Sequence, residues 1–223
     1  MQESFDTVIK LSAARAELVV EQMENGVIKR KTMTPETFGK CILGSRYDES
    51  VHTTGFLPDY CFCAMQCDAD MIYFLRCPTL CADISYYGTD YEDFPLPRLV
   101  FAFKYAPESG KVLNARLAVV PDERLNADTV LYRYPFSNVH DSFGICLGNN
   151  ALPVYKDPGR LHTLMALILR FPNNNDMFSP DNNKLELGYR DLLEHLKDKE
   201  PSYYYTDILI PSGRTLKDFM NGR

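Results

Sequence analysis

Apolar residues follow a strand-like pattern over the middle of the chain and change to a helical spacing towards its end. From about residue 69, segments rich in β-branched and aromatic residues recur, and clusters of turn-forming residues separate them. Neighbouring strands joined by short turns pair antiparallel, so these segments predict an antiparallel meander. The segments are residues 70–77, 81–88, 98–105, 111–120 and 129–134.

One of these strands is apolar on both of its faces. Side chains alternate between the two faces of a strand, and residues 99–103, LVFAF, place an apolar side chain on each face. A strand with no polar face has to be covered on both sides. We therefore predict that this strand is central and covered by helices.

The spacing becomes helical after residue 157. Pro158 suits the first turn of a helix, Pro172 stops it, and residues 158–171 carry an apolar stripe. The stripe consists of Leu161, Leu164, Met165, Ile168 and Leu169. Residues 184–199 predict a second amphipathic helix, with Leu192, Leu193 and Leu196 as its inward set. Residues 203–210 predict a short strand or extended segment, and residues 214–222 a terminal helix.

A hairpin and a short helix are predicted before this core. Asn25-Gly26 is a turn signal between a strand at about 15–21 and its partner at 27–33, and an edge strand is expected near residue 7. Thr34 and Pro35 are typical of a helix start. The 223 residues suit one domain. We predict a single domain over 1–223, with 1–55 as an extension and 56–223 as the core.

Composition narrows the classes of function. The net charge of −6 argues against nonspecific nucleic-acid binding, which needs a basic surface. No apolar run approaches the length of a membrane span, and the first residues lack the pattern of a secretory signal. An odd count of seven cysteines leaves at least one unpaired and favours a reducing compartment. We predict a cytoplasmic protein without membrane or nucleic-acid partners.

The strongest candidate for chemistry is Cys146, in residues 134–153, YPFSNVHDSFGICLGNNALP. Alternation would turn Ile145 and Leu147 one way and Cys146 the other. Gly144 and Gly148 bracket the cysteine and favour irregular backbone. A thiol acts as a nucleophile through its thiolate and needs access. The alternative is a core cysteine at the end of a strand.

Asn138 lies eight residues before Cys146. Turn-forming residues between them, Asp141, Ser142 and Gly144, allow the chain to fold back. The Asn138 amide would then lie beside the sulfur, where it can donate to an oxyanion during acyl transfer. The alternative for Asn138 is a turn residue that bonds its own backbone.

The run from Asn138 to Leu147 resembles the active-site segment of ubiquitin-conjugating enzymes. That family has a His-Pro-Asn triplet, a loop with a glycine, and Ile-Cys-Leu, with asparagine and cysteine eight apart. Two departures are present: Phe136 and Ser137 hold the His and Pro positions, and Gly144 comes one place later than usual. The whole stretch is similar to the prokaryotic branch of that superfamily encoded in plasmid-type PRTRC gene clusters, as system protein B. The positions in register are Asn138, Val139, Ile145, Cys146 and Leu147.

The resemblance implies an α+β fold in which a four-stranded antiparallel meander precedes the active loop and the helices. It implies that Cys146 accepts a small ubiquitin-like protein from a ThiF-type activating enzyme as a thioester, which an amine then attacks. Asn138 would steady the oxyanion, and His140 or Asp141 would position or deprotonate the acceptor lysine. It implies no cofactor and no metal. The alternative is an inactive member of the same fold that serves as an interaction module.

Two other kinds of site compete with this interpretation. A zinc site is one, because cysteines recur at spacings that zinc ligands use. Those cysteines are Cys61, Cys63, Cys67, Cys77 and Cys81. The other is a papain-like pair in which His140 is the base of Cys146 and Asp141 or Asp207 orients it. Residues 71–75 predict a strand rather than a metal-binding loop, and no protease signature surrounds Cys146.

Overall fold

In a computed structural model, which describes residues 7–11, 17–24, 27–44 and 56–222, the chain divides into two units, 1–53 and 54–223. That both belong to a single domain stays a prediction. Each unit has its own antiparallel sheet. No helix among the described residues has the length and apolar character needed to cross a membrane.

The first unit contains three strands and one helix. Strands β1 (Thr7–Leu11), β2 (Leu18–Glu24) and β3 (Val27–Met33) pair antiparallel in that order, and helix α1 is Pro35–Gly44. The central carboxylate of Glu21 bridges Lys10 and Arg30 on the two flanking strands, at 2.7 and 2.6 Å. Thr34 Oγ1 accepts from the Thr37 amide at 3.2 Å, so this threonine caps α1. The turn predicted at Asn25-Gly26 lies outside the described residues.

Eight strands follow in the second unit. They are β4 (Cys61–Cys67), β5 (Asp70–Arg76), β6 (Cys81–Tyr86), β7 (Thr89–Pro95), β8 (Leu99–Ala106), β9 (Lys111–Val119), β10 (Val130–Tyr132) and β11 (Pro211–Thr215). Six of them form one antiparallel sheet in the order β11-β10-β9-β8-β5-β4. The remaining two, β6 and β7, form a separate antiparallel ribbon.

The sheet therefore differs from the predicted four-stranded meander. The segment 81–88 was expected in the sheet, but it folds back on β7 through Tyr87 and Gly88, whose φ angles are 44° and 78°. Two consecutive positive φ angles make a tight turn that matches the twist of a hairpin, so this segment pairs locally. Strand β5 then pairs directly with β8, and β11 returns from the end of the chain to extend the sheet.

Strand β8 lies between β5 and β9, which confirms the predicted central strand. Phe101 and Phe103 face a large core cluster that the helices α2 and α3 also fill. Val100 and Ala102 face a smaller cluster on the other side of the sheet, together with Phe219. All four β8 side chains are buried, because both faces of the sheet are covered.

The helices of this unit are α2 (Thr163–Leu169), α3 (Tyr189–Leu196) and α4 (Leu216–Met220). A 3₁₀ turn at Pro158–His162 leads into α2, and Asp157 Oδ1 caps it by accepting from Gly159 N at 2.9 Å. The inward sets predicted for α2 and α3 are all buried, which confirms those predictions.

The extended segment predicted at 203–210 is wrong. Residues Tyr204–Ile208 form a single wide helical turn of the π type. The Tyr204 hydroxyl donates to the Pro95 carbonyl at 2.7 Å, and the Tyr205 hydroxyl to that of Val120 at 2.9 Å. Successive tyrosines thus bond to the end of the β6-β7 ribbon and to the residue after β9, and these tertiary contacts override a local β propensity.

Candidate active site

Residues 138–146 fold back into a tight loop, which we name the Cys146 hairpin. The Cys146 amide donates to the Asn138 carbonyl at 2.8 Å, and the His140 amide to that of Gly144 at 2.9 Å. Asn138 and Phe143 adopt left-handed backbone conformations, with φ angles of 66° and 68°. The fold-back therefore places the backbones of Asn138 and Cys146 side by side.

The hairpin lies along the part of β9 that β10 leaves unpaired, since β10 pairs with β9 only at Val119. The Ile145 amide donates to the Ala115 carbonyl at 3.0 Å, and the Leu117 amide donates to the Phe143 carbonyl at 2.9 Å. These two bonds attach the residues just before Cys146 to the sheet.

Cys146 is partly exposed. Its neighbours Ile145 and Leu147 pack against the large core cluster, whereas Cys146 is absent from both clusters of the described residues. These contacts fit strand-like alternation, in which Ile145 and Leu147 share one face and Cys146 belongs to the other. The sulfur makes no hydrogen bond to a described residue, so its lone pairs are free for an incoming group.

The side chain of Asn138 is bound by a different part of the chain from the one that pairs with its backbone. Its Nδ2 donates to the Pro172 carbonyl, just after α2, at 3.1 Å. Among the described residues, no hydrogen bond joins this side chain to the Cys146 sulfur. A carboxamide NH₂ has two donors, and only one is used here. The second N–H is available to a group bound at the thiol.

Upstream of the hairpin the chain is anchored by aromatic packing. Phe136, only 1% exposed, makes edge contacts with the rings of Tyr134, Phe94, Tyr189 and Tyr204, at centroid distances of 5.3–6.3 Å. At the position where the resembled family has a histidine, this chain thus has the buried side chain of Phe136. Desolvation in this aromatic cluster raises the pKa of Tyr134, Tyr189 and Tyr204 well above that of an ordinary tyrosine.

Ser137 provides a second, polar anchor. Its buried Oγ donates to Asn173 Oδ1 at 2.9 Å, and Asn173 in turn donates to the carbonyls of Ser85 and Phe171. The anchor therefore ties the entry of the hairpin to the end of α2 and to β6. Sequence reasoning missed Asn173 because its run of asparagines suggested only a loop.

His140 and Asp141 occupy the tip of the hairpin and are exposed. Both line a depression of about 240 Å³, together with Arg133, Asn182 and Arg214, and a wider one of about 440 Å³. Cys146 lines neither depression. The structure thus brings Asn138 together with Cys146, and it places His140 and Asp141 on a neighbouring surface.

The alternative sites have less support from the geometry. The part of the chain that the structure describes contains no group of three or more His, Cys, Asp and Glu side chains placed to hold a metal. Burial raises the pKa of the Cys61 and Cys63 thiols, which disfavours their thiolates. For a papain-like arrangement, the Asp207 carboxylate accepts from its neighbour Thr206 rather than from His140.

One of three comparisons with known proteins gives a match. The model of prokaryotic E2 family D matches residues 48–170, which is more than half of the chain and contains the whole Cys146 hairpin. No curated protein and no solved structure matches the chain.

Proposed function

The chain belongs to prokaryotic E2 family D, and on this premise we propose that it carries a small ubiquitin-like protein as a thioester on Cys146 and passes it to an amine. One observation supports this most: a partly exposed thiol stands outside both core clusters, with Asn138 held beside it by a backbone hydrogen bond of 2.8 Å. A partly exposed sulfur whose backbone is paired with that of an asparagine suits acyl transfer with a nearby amide as oxyanion donor.

In the loading step, the Cys146 thiolate attacks the carbonyl carbon of the activated C-terminus of the ubiquitin-like protein. A ThiF-type activating enzyme would present that carbon as a thioester. A C–S bond to Cys146 forms, the C–S bond to the activating enzyme breaks, and that enzyme recovers its thiol. In the second step an acceptor amine attacks, an amide forms, and the Cys146 thiolate leaves while the amine loses a proton.

Asn138 would stabilise the oxyanion of both steps. One N–H of its amide stays on the Pro172 carbonyl, which fixes the side chain, and the other N–H is available to the developing charge. A donor that is already oriented needs little reorganisation when the charge forms. The bond to Pro172 is thus compatible with a positioned catalytic amide.

His140 and Asp141 would contact the acceptor lysine. Both are exposed at the hairpin tip, and the Asp141 carboxylate has no hydrogen bond or ion pair within the described ranges. A free carboxylate attracts an ammonium group and can accept its proton. We assign to these two residues the positioning or deprotonation of an acceptor lysine.

The proposed partners follow from this reaction. They are an activating enzyme of the ThiF type and a small ubiquitin-like protein, and we place the chain in the PRTRC type of gene cluster and in the cytoplasm. The assignment to the PRTRC type is supported by residues 134–153, where the similarity to PRTRC system protein B is greatest.

The test is a loading reaction. The full chain is incubated with ATP and with the activating enzyme and ubiquitin-like protein encoded beside its gene, and the products are separated without reductant. We expect an adduct that thiol reagents cleave. Cys146→Ala should abolish it, and Cys146→Ser should give an ester that resists thiols. Asn138→Ala should slow discharge to free lysine by about 10²-fold, since one oxyanion donor is lost.

Cys81→Ala is the matched control, because Cys81 is an exposed free thiol on β6. Its adduct should equal that of the wild type. An adduct that persists in Cys146→Ala, or that disappears in Cys81→Ala, contradicts the assignment of the nucleophile.

A second function is favoured by one observation, the commitment of the Asn138 amide to the Pro172 carbonyl. Such a bond also fits a residue that only shapes the loop, in an inactive member that serves as an interaction module. The same experiment separates the two. The module binds the ubiquitin-like protein without a covalent adduct, and its binding is unchanged in Cys146→Ala.

A further inference from the structure

The end of the chain contacts the tip of the Cys146 hairpin. Arg214 in β11 donates from Nη1 to the Asp141 carbonyl at 3.1 Å, and its guanidinium carbon lies 5.5 Å from the centre of the Phe143 ring. The planar guanidinium is suited to stacking and to directed hydrogen bonds at the same time. One side chain thus contacts both the backbone and the phenylalanine ring of the hairpin.

Phe143 continues the contact into the small core cluster. Its ring, 3% exposed, meets Phe219 of α4 edge-on at 5.5 Å. Arg116 of β9 lies over the Phe219 ring at 5.0 Å and donates to the Phe219 carbonyl at 2.5 Å. Arg214, Phe143, Phe219 and Arg116 therefore form one continuous series of contacts, which we name the Arg–Phe clamp.

The backbone of Phe143 needs such support. A bulky side chain at a φ of 68° is in a strained conformation that tertiary contacts must maintain. If the ring were released, the left-handed turn would relax, and the bond between the Phe143 amide and the His140 carbonyl, 2.8 Å long, would be lost. The geometry of the hairpin tip thus depends on the contacts of its ring.

The segment that supplies the clamp is itself firmly attached. Ser212 Oγ donates to the Leu131 carbonyl at 2.8 Å, and the Leu216 amide donates to that of Thr129 at 2.8 Å. Thr215 and Asp218 form a capping box at the start of α4. The segment from β11 to α4 is therefore a fixed support, and it lies outside the residues 48–170 that the family model matches.

We propose that Arg214 is a positioning residue that holds the Cys146 hairpin in its reactive geometry through the Arg–Phe clamp. The part of this inference that concerns acyl transfer rests on the proposed function, whereas the part that concerns the hairpin does not. Arg214 does not touch the thiol. It contacts Asp141 and Phe143, and through these contacts it holds the hairpin tip that presents Asp141 to an acceptor.

A competing explanation is that Arg214 binds an anion in the depression beside the hairpin. Arg133 lines the same depression and carries the same charge, and its side chain makes no hydrogen bond or ion pair with a described residue. Arg133→Ala therefore removes an equal charge from the same place without touching the clamp. It is the matched control.

The experiment is hydrogen–deuterium exchange of the full chain, followed by mass spectrometry of peptides that cover 138–146 and β8. In Arg214→Ala we expect amides of the hairpin to exchange about tenfold faster, from the loss of one hydrogen bond and one stacking contact. Exchange in β8 should be unchanged, and Arg133→Ala should match the wild type. Arg214→Lys keeps the charge without the flat stacking surface and should lie between the two.

Loading and discharge supply a second readout. With the hairpin loosened, formation of the thioester should stay within about twofold while discharge to lysine falls about tenfold, because the acceptor is misplaced. Wild-type exchange of the hairpin in both Arg214 variants would overturn the inference, as would equal effects of Arg133→Ala. Faster exchange in a chain that forms no thioester would support the clamp and count against the proposed function instead.

Discussion

Strand β4 and the Cys146 hairpin both carry half-buried cysteines, and the thiols differ in what they contact. On β4, an edge strand whose pairing has a bulge between Cys61 and Cys63, both cysteines pack against the core clusters, and the Cys61 thiol donates to the Cys63 carbonyl at 3.2 Å. In the hairpin, Cys146 belongs to neither core cluster, and its thiol has no hydrogen bond to a described residue. The reactivity of a thiol therefore depends more on the backbone that carries the cysteine than on how many cysteines lie nearby.

The two regions also differ in what holds them. Strand β4 is fixed by a ladder of backbone pairs to β5 that runs from Cys61 to Cys67 with one bulge. The hairpin has few such bonds and depends on side chains from elsewhere, including Phe136, Asn173 and Arg214. A site built this way is sensitive to substitutions outside it, and that difference can be tested.

The largest effect is expected from Phe136→Ala. Phe136 is fully enclosed by aromatic rings at the entry to the hairpin, and replacing a buried phenylalanine with alanine costs about 3–5 kcal/mol in the free energy of unfolding. Phe62→Ala is the matched control on β4, where the side chain is 40% exposed, and it should cost less than about 1 kcal/mol. Urea unfolding of both variants measures the difference.

Equal losses in the two variants would contradict the comparison. So would a Phe136→Ala protein whose hairpin amides exchange as slowly as in the wild type, because the anchor would then not support the hairpin.

A smaller effect is expected in thiol labelling. Burial raises the pKa of the Cys61 and Cys63 thiols, so their thiolates form at higher pH than that of an ordinary cysteine. At pH 8, iodoacetamide should label Cys146 at least about tenfold faster than either, and the labelling of Cys61 and Cys63 should accelerate only above the ordinary pKa of a cysteine thiol. Peptide mass spectrometry measures each rate, with the exposed Cys81 as the reference. Equal rates at all three thiols would show that the hairpin does not present its sulfur differently.

The smallest effect concerns Tyr189, which packs edge-on against Phe136. The buried Tyr189 hydroxyl makes no well-formed hydrogen bond to a described residue, although Ser137 lies close enough to lower its pKa, so Tyr189→Phe should change the free energy of unfolding by less than about 1 kcal/mol at pH 7. Because burial raises the pKa of Tyr189, the unfolded chain loses this proton near its ordinary pKa of about 10 while the folded chain keeps it. Stability should therefore fall as the pH rises above ~10, and less steeply in Tyr189→Phe.

Urea midpoints at pH 8 and 10.5 give this slope. Tyr87→Phe is the control, since Tyr87 is 64% exposed and should leave the slope unchanged. A loss above about 2 kcal/mol at pH 8 would mean that the Tyr189 hydroxyl has a partner that stabilises the fold.

The sequence by itself determined the elements whose signal is local. The doubly apolar segment 99–103 became the central strand, the stripe from Leu161 to Leu169 became a buried helical face, and the spacing of Asn138 and Cys146 predicted a fold-back. In each case the residues that carry the signal are those that form the element. Periodicity and turn chemistry therefore suffice.

The tertiary structure decided the rest. It placed the Asn138 amide on Pro172, brought Arg214 to the hairpin tip from 73 residues away, and turned residues 204–208 into a helical turn. It also removed the segment 81–88 from the main sheet. These features depend on contacts between distant residues, whose energies outweigh the weak preferences of a short segment. For this reason the sequence identified the candidate nucleophile, and only the folded chain showed what holds it in place.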